Sequence, residues 1–191
     1  AARPRAFAWH WNAQIAAELR RQTWHVLPGT IPFLLWFYPH TDPISPLFQL
    51  IAVTFIGGLA LLVFGRIQPL LRHGETSDDD AVARYSICVL ATLLAFPAHA
   101  ELGMTVLVVL AYGDGMATVG GSLAGNRRLP WNRSKTWTGS ICFILAAAPL
   151  ATLAYWGEAR PAVPLLTAAA CGTTAALLAA VAESWPSRRN D

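Results

Sequence analysis

The chain has 191 residues, 54% of them hydrophobic and only 13% charged, and its mean hydropathy of +0.41 exceeds what a soluble domain needs to fill one core. A formal net charge of +3 is too slight to mark a nucleic-acid surface, so a membrane is the first environment to consider. Cys88, Cys142 and Cys171 lie apart within apolar runs and form no CxxC pair, which argues against a zinc site or a disulfide framework and for small packing residues.

In chain order, Phe7, Trp11, Ile15 and Leu19 recur every four residues. This spacing predicts an amphipathic helix over 1–25, lying in the membrane interface. Six apolar runs follow, over 27–38, 47–64, 85–96, 102–112, 138–156 and 161–182. The longer ones approach or reach the roughly 20 residues that cross a bilayer as helix. The runs at 27–38 and 102–112 are weaker, the first because it carries Pro28 and Pro32. Residues 77–80, Ser-Asp-Asp-Asp, read as an N-cap with acids at the positive end of the third apolar helix. Small residues in the last run predict that it packs inside the bundle, whereas His99 and Glu101 read as interfacial.

With six spans, every Lys and Arg except Arg160 falls on one side. That asymmetry follows the positive-inside bias and puts both chain ends in the cytoplasm. The expected fold is therefore an all-α polytopic bundle, with residues 26–191 forming a transmembrane catalytic domain. A cell inner membrane of a bacterium, with the N-terminus cytoplasmic, is the expected location.

Between the fourth and fifth runs stands a polar stretch, "GDGMATVGGSLAGNRRLPWNRSKTWTGS", residues 113–140, expected as a cytoplasmic loop. Gly113, Gly121 and Gly125 would let backbone N–H groups approach an anion, and Arg127, Arg128, Arg133 and Lys135 supply charge for phosphates. Asp114 is a candidate oxygen ligand for Mg²⁺, and Thr136 and Ser140 add hydroxyls near a helix start. Together these suggest a site for a nucleotide polyphosphate. A basic loop touching anionic headgroups is the plainer alternative, and Gly121 and Gly125, at GxxxG spacing, suit helix packing equally well.

The order of residues in this stretch resembles the cytidine-nucleotide loop of the polyprenol kinase family, which includes dolichol kinase, phytol kinase and a CTP-dependent diacylglycerol kinase. Gly113, Asp114, Ala117, Gly121, Gly125, Lys135, Thr136, Gly139 and Ser140 match it. Ahead of the first run, "ELRRQTWHVLPG" supplies Glu18, Arg20, Arg21, His25 and Gly29 in a second matching pattern, with Arg21 where Lys is more usual. More loosely, Arg72 and Glu75 resemble an Arg-x-x-Glu, and Glu183 and Asp191 a C-terminal acidic element.

The resemblance implies transfer of the γ-phosphoryl group of CTP, with Mg²⁺, to the hydroxyl of a polyprenol, a phytol-like alcohol or diacylglycerol. It makes Asp114 a metal ligand or the acceptor of the hydroxyl proton, and sets Lys135 and Arg128 on the phosphates. Arg20 and Arg21 would hold phosphate, Glu18 or His25 would be a second metal ligand or proton acceptor, and Glu183 a further metal ligand. Gly139 and the other matching loop residues would line the nucleotide. Phosphatidate cytidylyltransferase, which also uses CTP at a membrane, is the alternative enzyme, although its His-Gly-Gly and Asp-Arg signature is missing here. A transporter or scaffold that merely binds headgroups is the non-catalytic alternative.

Overall fold

The structure, a computed structural model, describes residues 22–23, 26–37, 45–47, 49–51, 53–55, 57–58, 79–125 and 127–186. Among the described residues, five α-helices have defined bounds: α1 (Ile31–Leu35), α2 (Asp79–Ala95), α3 (Ala100–Ala124), α4 (Trp137–Glu158) and α5 (Leu165–Ser184). A 3-10 turn at Leu27–Thr30 leads into α1. The fold is all-helical as expected, and α3, α4 and α5 are long and apolar enough to cross a membrane. The expected spans at 27–38 and 47–64 lie partly outside the described residues. Where it is described, the first is a 3-10 turn and a five-residue helix, as Pro28 and Pro32 at their helix starts suit.

Local chemistry sets where the helices stop. Pro97 follows the end of α2, and Thr136 caps α4 by accepting the Gly139 N–H at 3.1 Å on its Oγ1. Pro164 stands at the start of α5, where its missing N–H costs nothing.

The three long helices pack through residues with little side chain. On α4 the small buried positions are Gly139, Ala147, Ala151 and Ala154, beside buried Phe143 and Glu158, and on α5 they are Ala168, Gly172, Ala176, Ala180 and Ser184, successive buried positions on each helix being three or four apart. A Cβ added at Gly172 would lie 2.6 Å from the Thr152 backbone nitrogen, so these two backbones approach closely. The expectation that the last span packs inside the bundle is met on this face alone. Leu166, Leu178 and Val181 on its other sides are exposed, as suits lipid contact.

The main departure from expectation is in 113–140. Helix α3 runs on through Ala124, so residues 113–124 are helical, and among the described residues only 125 and 127–136 lie outside a helix. Four glycines and an aspartate read as helix-breaking in a sequence. In an apolar surrounding, however, backbone groups must be satisfied within the segment, and glycine on a packed face lets a neighbour come near. Accordingly, a Cβ at Gly113 would enter the Phe143 ring, one at Gly120 would meet Cys142, and one at Gly115 would meet Val26 at 2.7 Å. Gly29 lies against Ala111 and Tyr112 in the same manner.

At the other end of the bundle, Glu101 differs from its expected interfacial setting. It is only 5% exposed, and its carboxylate lies 2.9 Å from Nδ1 of His99.

Candidate functional site

Residues 127–137 fold back on themselves as a short hairpin. Arg128 and Thr136 form an antiparallel bridge, Leu129 N–H donates to the Lys135 carbonyl at 3.0 Å, and Trp137 N–H to the Arg127 carbonyl at 3.1 Å. Leu129 is 1% exposed, and Trp131 and Trp137 meet edge to face at 5.6 Å. The hairpin is tied to the C-terminal end of α5. Trp131 Nε1 donates to Ser184 Oγ at 3.3 Å, and Asn132 Nδ2 donates to the Ser184 carbonyl at 3.2 Å.

Between this hairpin and the helices lies a cavity of about 400 Å³. Helix α3 contributes Ala117, Thr118, Gly121 and Ser122; the hairpin and the start of α4 contribute Arg128, Ser134, Lys135, Thr136, Gly139 and Ser140; α5 contributes Ala180, Glu183 and Ser184. Lys135 Nζ pairs with Glu183 Oε1 across it, both side chains being partly exposed. Arg128 donates to the Ser134 carbonyl at 3.3 Å, so its guanidinium is held along the same wall. Asp114 stands on α3 three and four positions before Ala117 and Thr118, hence on the face that lines the cavity. It is near enough for its charge to act on the Glu183 carboxylate.

The site residues expected from sequence are thus distributed as follows. Gly121, Arg128, Lys135, Thr136, Gly139, Ser140 and Glu183 line one cavity, and Asp114 lies on the lining face of α3. Gly113 serves helix packing, and Gly125 caps α3, its N–H donating to the Gly121 carbonyl at 3.1 Å. Arg127 is exposed and does not line the cavity. Glu18, Arg20, Arg21, His25, Arg72, Glu75 and Asp191 lie outside the described residues. The nearest described neighbours of the first group, Gln22 and Val26, pack beside Gly115, one residue beyond Asp114.

Thr118, Ser122, Asn132 and Ser184 are contributions the sequence did not single out. Thr118 and Ser122 follow Asp114 at helical steps of four, a signal visible only once 113–124 is read as helix.

Chemically, the cavity combines two cationic side chains, several hydroxyls and a helix start, all of which favour an anion, with the Glu183 carboxylate, and with Asp114 nearby on α3, which favour a cation. Among the described residues, no three His, Cys, Asp or Glu side chains converge as a protein-only metal cage requires. Two carboxylates in each other's field suit an ion that takes its remaining ligands from phosphate oxygens and water, as Mg²⁺ does.

A membrane-type helical bundle with a mixed-charge cavity at one end is the class of protein these features define. Comparison with known proteins gives relatives consistent with it. The chain is 28% identical over 148 residues to a probable phytol kinase, chloroplastic, of Zea mays, covering 73% of this chain and 48% of that protein. It is 26% identical over 140 residues to phytol kinase 1, chloroplastic, of Arabidopsis thaliana, covering 69% of this chain and 46% of that one. Farnesol kinase, chloroplastic, of Arabidopsis thaliana is 29% identical over 92 residues, 48% of this chain and 30% of that protein. These homologues bear out the resemblance to the polyprenol kinase family. The chain spans about half the length of the curated relatives it matches. No family model and no solved structure matches it. The relatives are chloroplastic proteins of plants and lend no support to a bacterial inner membrane.

Proposed function

We propose that this chain acts as a lipid-alcohol kinase at a membrane, transferring the γ-phosphoryl group of CTP to the hydroxyl of a phytol- or polyprenol-like alcohol. The observation that carries the reading is the cavity lined by Lys135, Arg128 and Glu183, with Asp114 on the same face of α3. A volume of about 400 Å³ falls in the range of small-ligand pockets. The names of the phytol and farnesol kinases support the acceptor class.

Phosphoryl transfer asks little covalent chemistry of a protein; positioning and neutralisation of charge do most of the work. Arg128 and Lys135 bind the phosphate chain, Lys135 exchanging Glu183 for a phosphate oxygen, and Thr118, Ser122, Ser134 and Ser140 offer hydroxyl hydrogen bonds. Asp114 and Glu183 would hold Mg²⁺, which supplies neutralisation of the phosphate charge when bound. The acceptor oxygen bonds to the γ-phosphorus as the bond to CDP breaks, and the hydroxyl proton passes to a carboxylate, for which Asp114 is the described candidate.

Incubation of the protein in lipid vesicles with γ-labelled and with α-labelled CTP tests this. A kinase places only the γ label on phytol, farnesol or a longer polyprenol. Label from the α position on lipid would instead identify a cytidylyltransferase, and no label from either, with no CTP binding, a headgroup-binding scaffold. Parallel incubations with γ-labelled ATP and GTP establish the donor.

A further inference from the structure

We infer that Asn132 is a positioning residue that holds the pocket's cation and its carboxylate in one fixed relation, an inference that rests on the nucleotide reading above. The residue is 8% exposed, and its side chain uses both ends of the amide. Nδ2 donates to the Ser184 carbonyl at 3.2 Å and, more weakly, to the Trp185 carbonyl at 3.5 Å. Oδ1 accepts from the Ser134 N–H at 3.1 Å and from Ser134 Oγ at 2.6 Å.

The residues it grips are thus the immediate chain neighbours of Lys135 on one side and of Glu183 on the other. The last carbonyls of a helix have no partner within it, so a side-chain amide arriving there is matched to what α5 lacks. No apolar residue of this size provides both halves of the grip.

The hairpin has its own closures in the Arg128–Thr136 bridge, the Leu129–Lys135 bond and buried Leu129. None of these fixes where it stands relative to α5. Of the ties that do, Asn132 is the buried one; Trp131 Nε1 on Ser184 Oγ and the Lys135–Glu183 ion pair are more exposed. Lys135 travels with the hairpin and Glu183 with α5, so a phosphate bound by one and a cation bound by the other meet at a set distance. Asn132 therefore makes the binding of divalent cation and of triphosphate cooperative, because each ligand, once bound, presents its charge to the other at that set distance.

The test is CTP binding to the whole 191-residue chain in lipid nanodiscs, by calorimetry, in EDTA and in saturating MgCl₂, for the wild type, Asn132→Ala and Asn132→Leu. The ratio of the two affinities is the coupling factor, and the leucine variant keeps the buried volume filled. Expected is a wild-type factor of about 10 or more that falls close to 1 in a folded variant, while CTP affinity in EDTA changes by less than about twofold. A folded variant with the wild-type factor, or one whose affinity falls equally in both conditions, overturns the inference. So does loss of the melting transition in both variants, which would make Asn132 a residue of the fold itself. Absence of CTP binding by the wild type sinks the nucleotide reading, and this inference with it.

Discussion

Lys135 and Glu183, 48 positions apart in the chain, form an ion pair that closes the space between the hairpin and the end of α5. A partly exposed pair of this kind contributes at most about 1 kcal/mol to folding, since solvent screens it and holding two side chains costs entropy. Its value lies in placing a movable cation beside a carboxylate. Lys135→Met is therefore expected to leave the melting temperature nearly unchanged and to lower transfer of the γ label by about 100-fold or more, by removing a preorganised charge from the phosphates. Turnover of that variant within threefold of the wild type would exclude Lys135 from the reaction.

Asp114 tests the metal assignment separately. Asn has nearly the same shape but no charge, so Asp114→Asn should raise the MgCl₂ concentration needed for half-maximal transfer by about tenfold or more. Unaltered MgCl₂ dependence at wild-type turnover would remove Asp114 from the site.

Two glycines on α3 separate packing from binding. Gly113→Ala forces a methyl into the Phe143 ring, and overpacking of this sort costs about 1–3 kcal/mol, readable as a lowered melting temperature. Gly121→Ala meets Thr136 Oγ1 at 3.1 Å and Gly139 Cα at an ordinary 3.9 Å, and position 121 lines the cavity. It should disturb melting less and raise the KM for CTP more. The opposite ranking in both measurements would assign Gly121 to helix packing.

Thr136 caps α4 and lines the cavity at once. Thr136→Ala leaves the Gly139 N–H without that acceptor and should cost about 1 kcal/mol, while Thr136→Ser keeps the oxygen and most of the stability. Equal melting temperatures for the two variants would show that the cap contributes nothing.

How much of this was legible beforehand depended on the range of the interaction. Apolar length alone located α4 and α5, because crossing a bilayer as helix requires it. Lys135, Arg128 and Asp114 were visible as charges with no reason to stand beside glycines. The helical state of 113–124 was not legible, since the same glycines signal a loop in water and a close helix crossing in an apolar surrounding. Asn132 reads locally as a turn former, which its bonds to Ser134 suit, but its other partners lie 52 and 53 residues away. Glu183 stood out only through family resemblance; its chain neighbours offer no local motif.

The seam between α4 and α5 has a consequence for how such a protein tolerates change. Ala147, Ala151, Ala154, Ala168, Gly172, Ala176 and Ala180 have almost nothing to delete, so truncation scanning would pass over them in silence. Enlargement is the informative direction: each added methyl group must push two backbones apart along their length. Sequence drift at this seam is thereby confined to exchanges among the smallest side chains, while the lipid-facing leucines opposite are free to vary among apolar types.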